Sequence, residues 1–128
     1  MSVRVDPALS VPPSRQIVEA LLDAIARGAL VPGTKLLSVR RLAGEALVNP
    51  NTAAKAYRDL TTLGALRTRN GLGVFVTEAA PSIARKLRAR ATLEAFERAA
   101  SEALRAGHDI AGLLDLLREA ATAAGESS

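Results

Sequence analysis

The side chains in this sequence best suited to chemistry are concentrated in Val48-Asn49-Pro50-Asn51-Thr52-Ala53-Ala54-Lys55-Ala56-Tyr57-Arg58, and the chemistry they suit is recognition. Asn49 stands at an N-cap position with Pro50 at the first helical position, where the missing amide hydrogen costs nothing. Asn51 and Thr52 then fall in the first turn, where an amide or a hydroxyl can reach base edges in a DNA groove while the helix dipole favours phosphate. Lys55, one turn beyond Asn51, suits a phosphate or a guanine. Asn49, Asn51 and Thr52 also suit plain helix capping, and residue type alone does not separate the two readings.

Two further groups flank this stretch. Arg40 and Arg41 follow Ser38 at the start of the preceding helical pattern; Arg40 suits a base or its neighbouring phosphate and Ser38 a phosphate, whereas the bland reading of the arginine pair is a solvated face. Arg67, Arg69 and Asn70 surround a turn in which Gly71 and Gly73 let the backbone approach a partner closely; the alternative is an ordinary hairpin with a basic tip. Nothing points to catalysis, because there are no paired carboxylates, no nucleophile beside a base and no Walker-type phosphate loop. The absence of cysteine excludes thiolate metal sites, and the single histidine, His108, follows a glycine at a helix entry, where a structural role is expected. No metal or cofactor is expected.

Composition agrees with an anionic partner. The 128 residues suit one domain, or a small domain with an appendage, and carry a formal charge of +4. Between Lys35 and Arg69 seven cations face only Glu45 and Asp59, while beyond Pro81 seven cations meet seven carboxylates. The positive excess therefore belongs to the first part of the chain. Hydrophobic residues make up 48% but aromatics only 2%, which favours helices packed through aliphatic side chains. Neither an apolar signal region nor a membrane-length apolar span occurs, so a soluble cytoplasmic protein with no membrane partner is expected.

Elements that would position these residues follow from periodicity. After a short extended start near Val3 to Val5, Ile17, Leu21, Leu22 and Ile25 predict a helix over about 14–27, ended by Gly28 and Pro32-Gly33. Ser38 caps a short second helix with Val39, Leu42, Ala43 and Ala46 on one side. A third runs from Pro50 to about Leu63, burying Ala53, Ala56, Tyr57 and Leu60 before Gly64. Beyond it the period falls to two, and Ala65–Thr68 and Val74–Val76 read as strands joined by Asn70-Gly71-Leu72-Gly73. Three helices and a hairpin make a mainly α winged helix-turn-helix, placed at 1–80. Pro81 marks the boundary to a helical segment at 81–128, with helices over about 82–105 and 109–123. Two helices enclose little core, so Leu87, Leu93, Phe96, Leu104, Ile110, Leu113, Leu114 and Leu117 are expected to meet a second copy of the chain. The basic run Arg85-Lys86-Leu87-Arg88-Ala89-Arg90 either extends a DNA footprint or solubilises a helix.

The blocks Pro13-Ser14-Arg15-Gln16-Ile17, Gly28–Leu36, Ser38-Val39-Arg40-Arg41-Leu42-Ala43, Val48–Thr52 with Ala56-Tyr57, and Gly71-Leu72-Gly73-Val74-Phe75-Val76 together resemble the GntR-type bacterial regulators, in particular the short YtrA-like subfamily. The resemblance implies a winged-helix operator-binding domain followed by short helices for dimerisation, with Ser38, Arg40, Asn49, Asn51, Thr52, Lys55 and Gly71 on DNA-contacting positions. Regulators of this kind are usually repressors, often of transporter operons. The sequence departs from the pattern at Leu37, where the family has proline, at Arg15, where it has an aromatic residue, and at Thr61, where it has glutamate. The expectation is a homodimeric repressor on a pseudo-palindromic double-stranded operator. The alternatives are an effector-responsive activator or a winged helix that meets an acidic protein and leaves DNA alone. A small-molecule effector is left open, since two helices offer little room for a pocket within one chain.

Overall fold

The structure, a computed structural model, describes residues 2–126, with side chains described through Gly125. Five helices and one hairpin follow in the order α1 (Pro13–Ala26), α2 (Val39–Ala46), α3 (Pro50–Leu63), β1 (Leu66–Arg69), β2 (Gly73–Val76), α4 (Ala80–Arg105) and α5 (Ile110–Glu126). The chain divides into two compact units, the first ending at Arg90 and the second beginning at Ala91.

In the first unit α1 and α2 pack on α3, and β1 follows directly from α3. Ile17, Leu21 and Ile25 of α1, Leu42 of α2, Leu60 of α3 and Leu66 of β1 are the largest fully buried side chains. Ala43, Ala46, Ala53 and Ala56 are also buried, so the three helices approach through methyl groups. With so few aromatics, close helix contact rather than bulk fills this core. Gly64 ends α3 with φ +88°, and a Cβ there would stand 3.3 Å from Ile83 Cδ1, so the start of α4 seals the end of α3.

Three features depart from the sequence expectations. The extended start is part of the core: Val3 is buried, and Gln16 pins the arm by accepting from the Asp6 amide at 2.9 Å and donating to the carbonyls of Asp6 and Val11. The hairpin also gains a third pairing segment. Leu36 donates to the Val74 carbonyl at 2.9 Å and Val76 to that of Thr34 at 3.0 Å, which sets Lys35 opposite Phe75. Finally, the boundary expected at Pro81 lies about one half-helix later. Pro81 sits in the first turn of α4, where it breaks no hydrogen bond, and Ala80, Ala84 and Leu87 pack on the core of the first unit.

The second unit has no buried residue among 91–125. Gly107, φ +101°, ends α4 while the His108 amide reaches back to the Ala103 carbonyl, and Asp109 caps α5 by accepting from the Gly112 amide at 2.8 Å. His108 is thus an exposed residue of a helix-capping turn. Leu93, Phe96, Leu104, Ile110, Leu114, Leu116 and Leu117 are exposed. Leu113 is half-buried, and Leu116 extends the apolar surface beyond the expected positions. Leu87, expected with that group, is half-buried against the first unit instead, because the beginning of α4 belongs to that core.

Candidate nucleic-acid interface

The helix-turn-helix is built by two local caps. Ser38 has extended backbone, and its Oγ accepts from the Arg41 amide at 3.3 Å, opening α2. Asn49 does the same for α3, its Oδ1 accepting from the Asn51 amide at 2.8 Å with Pro50 following at the first position. The capping and recognition readings are therefore compatible. In both residues the cap uses an acceptor, and the Ser38 hydroxyl hydrogen and the Asn49 amide hydrogens are not consumed by it.

Between the helices, Leu47 adopts the left-handed region at φ 59° and is 75% exposed. This conformation lets the Val48 amide close on the Ala43 carbonyl at 3.0 Å, ending α2 sharply enough for α3 to start two residues later. A leucine here is strained, since its Cβ crowds the following carbonyl.

On α3 the sides separate cleanly. Ala53, Ala56, Tyr57 and Leu60 are buried, whereas Asn49, Asn51, Lys55 and Arg58 are exposed and Thr52 is half-buried. On α2, Leu42, Ala43 and Ala46 are buried while Arg40 and Arg41 are exposed. Lys55 is not a lone cation, because its Nζ lies 3.0 Å from Asp59 Oδ2. The pair is exposed at both ends, so it contributes at most ~1 kcal/mol and opens readily to another anion.

Tyr57 couples the two parts of the surface. Its buried hydroxyl donates to the Leu37 carbonyl at 2.6 Å, tying α3 to the residue before the Ser38 cap. Burial pushes its phenol up from 10.0 to about 12. Two of the departures from the family pattern acquire a structural setting here. Leu37 supplies the carbonyl that holds Tyr57, and Thr61 donates its hydroxyl to the Tyr57 carbonyl at 2.7 Å. The third, Arg15, pairs with Glu19 at 3.5 Å on the surface of α1.

The wing is antiparallel, with Leu66 opposite Val76, Arg67 opposite Phe75, Thr68 opposite Val74 and Arg69 opposite Gly73. Alternation buries Leu66 and Val76 and turns Arg67 and Arg69 to the other face. At the tip Asn70 and Gly71 are exposed, Gly71 has φ +74°, and the Leu72 amide closes on the Arg69 carbonyl at 2.9 Å. Leu72 itself is 57% exposed.

All the residues singled out for recognition in the sequence thus lie in the first unit, exposed except for Thr52. In the basic run on α4, Arg85, Lys86 and Arg90 are exposed and Arg88 is half-buried. Sequence reasoning missed the placement of Lys35, which follows from a pairing with a residue distant in the chain, and the exposure of Leu47 and Leu72. For Leu72 a signal existed, since a leucine between two turn glycines has little to pack on. The Asp59 partner of Lys55 was also readable, from the i,i+4 spacing.

Comparison with known proteins bears on this arrangement. Residues 13–76 match the family model described as bacterial regulatory proteins, gntR family. The chain is 38% identical over 76 residues to the HTH-type transcriptional repressor YtrA of Bacillus subtilis, a match covering 59% of this chain and 58% of that protein. The matched part therefore spans less than two thirds of that relative's length. Among solved structures, a GntR family transcriptional regulator from Listeria monocytogenes superposes with a TM-score of 0.71 at 30% identity, covering 86% of this chain and 96% of the other. The DNA-binding domain of AraR, solved in complex with operator ORX1, superposes with a TM-score of 0.54 at 28% identity, covering 60% and 99%. No helix among the described residues is long and apolar enough to cross a membrane. With its first unit matched over half the chain, and with a winged helix-turn-helix built from those same residues, the chain belongs to the gntR family of bacterial transcription regulators and carries that family's DNA-binding domain.

Proposed function

We propose that the chain is a homodimeric repressor that reads a pseudo-palindromic operator in the cytoplasm, inserting the first turn of α3 into the major groove with the wing alongside. The observation that carries this reading is the α3 N-terminus. It is capped from within by Asn49 and carries Asn51 and Lys55 exposed and Thr52 half-buried, while on the preceding helix the Ser38 cap, Arg40 and Arg41 are exposed as well. Amides and hydroxyls there match base edges, and the surrounding cations match phosphates. The AraR domain, which shares this fold, has been captured on operator DNA, and the Bacillus relative is named a repressor. Arg67, Arg69, Asn70 and Gly71 would hold the wing against the adjacent backbone or minor groove.

Dimerisation is supported by the second unit, where Phe96 and every leucine but the half-buried Leu113 are exposed and no residue among 91–125 is buried. A second copy would cover this surface and bring two reading helices to half-sites about 10 bp apart. Binding of the full chain to its own upstream region, measured in a gel shift over a salt series, tests the reading. A dimer neutralising on the order of 6–10 phosphates loses roughly 10³–10⁵ in affinity between ~50 and ~200 mM salt. A flat salt dependence, or binding only to acidic protein, refutes it. Arg40→Ala should weaken operator binding more than binding to unrelated DNA; equal weakening would make Arg40 a phosphate contact.

A further inference from the structure

Resting on the DNA-binding reading, we propose that Lys35 is an additional phosphate-contacting residue, held by sheet pairing on the outer face of the wing with Arg67 and Arg69. In the hairpin, Arg67 opposes Phe75 and Arg69 opposes Gly73. Lys35 opposes Phe75 from the other side, flanked by the bonds from Leu36 to Val74 and from Val76 to Thr34. Opposed residues in an antiparallel ladder share a face, so Lys35, Arg67, Arg69, Gly73 and Phe75 lie together, while Leu36, Leu66 and Val76 are buried on the reverse. Three cations from the two extended segments that flank β2 thus share one face, and no carboxylate is among the residues of that face.

Gly73 shapes the arrangement. A Cβ on it would come within 2.9 Å of Lys35 Cε, so the absence of a side chain leaves room for the lysine stem to run across it toward the tip of the wing. Lys35 and both arginines are exposed. The Lys35 ammonium is carried on a stem laid over the sheet, which suits a point contact with phosphate rather than the planar, bidentate reading of a base.

The test uses the full chain, its own upstream duplex and an unrelated duplex of equal length, each titrated over a salt series. Lys35→Met keeps the stem and removes the charge. It should weaken binding to both duplexes equally, by roughly tenfold at ~0.1 M salt for each phosphate that is no longer neutralised, and reduce the log–log salt slope by about 1 per engaged protomer. Lys35→Arg should retain wild-type slope and affinity, and thermal stability should be the same in all three proteins. Lys35→Met binding with the full slope overturns the assignment, as does weakening confined to the upstream duplex, which would indicate a base contact. If wild-type protein shows no salt-dependent binding at all, the DNA-binding reading itself fails and this inference with it.

Discussion

Removing the Tyr57 hydroxyl should cost stability at neutral pH and nothing in strong alkali. The hydroxyl is buried and donates at 2.6 Å to the Leu37 carbonyl, so Tyr57→Phe leaves that acceptor without its partner at a cost of about 1–2 kcal/mol. The same burial raises the phenol from 10.0 to about 12. For an acid whose folded value is raised, the neutral form is favoured by folding. The contribution is therefore complete below pH 10 and is lost as the pH rises through about 12. The rise from 10.0 to about 12 corresponds to about 2–3 kcal/mol, enough to erase the advantage of tyrosine over phenylalanine. Tyr57 is the only tyrosine and there is no tryptophan, so tyrosinate absorbance of the native protein reports this residue alone. Urea unfolding followed by circular dichroism, on both proteins over the same pH range, gives the stability difference, and alkaline titration of lysines common to both largely cancels. A native tyrosinate transition at the ordinary value of 10.0, or Tyr57→Phe as stable as wild type at neutral pH, would refute the tether.

Other substitutions probe other parts of the fold. Leu47→Gly should raise the unfolding free energy in urea modestly, by up to ~1 kcal/mol, because relief of left-handed strain exceeds the backbone entropy of glycine and the exposed side chain packs on little; a lower unfolding free energy would mean that Leu47 is not strained. Ala56→Leu should destabilise the first unit by about 1–3 kcal/mol, since Ala56 is 0% exposed where α3 meets its neighbours. Wild-type stability there would show that the helices have room to separate. Phe96→Glu combined with Leu114→Glu should shift sedimentation from dimer to monomer and weaken operator binding by at least ~10-fold, while thermal unfolding of the first unit is retained. A double variant that sediments as a dimer would place the interface elsewhere.

Much of the candidate interface was legible in the sequence because it is made by short-range rules. Ser38, Asn49-Pro50, Gly64 and Asp109 each mark a helix end through bonds spanning two to five residues, and those bonds form as the residue types dictate. The apolar spacing of Ile17, Leu21 and Ile25, or of Ala53, Ala56 and Leu60, likewise states which side of a helix is buried. Pro81 misled for the same local reason. A proline reads as a break, yet in the first turn of α4 it breaks nothing, and the end of the first unit is set instead by Ala84 and Leu87 reaching its core.

The sequence by itself therefore determined the helices, the hairpin, the caps and the polarity of the α3 surface, since each depends on residues within about one or two turns of one another. Only the tertiary structure decided that Val3 closes the core, that Tyr57 holds the Leu37 carbonyl, and that Lys35 joins the wing opposite Phe75. These are meetings of residues far apart in the chain. Such contacts are selected by how whole elements pack, and no local propensity or spacing encodes them.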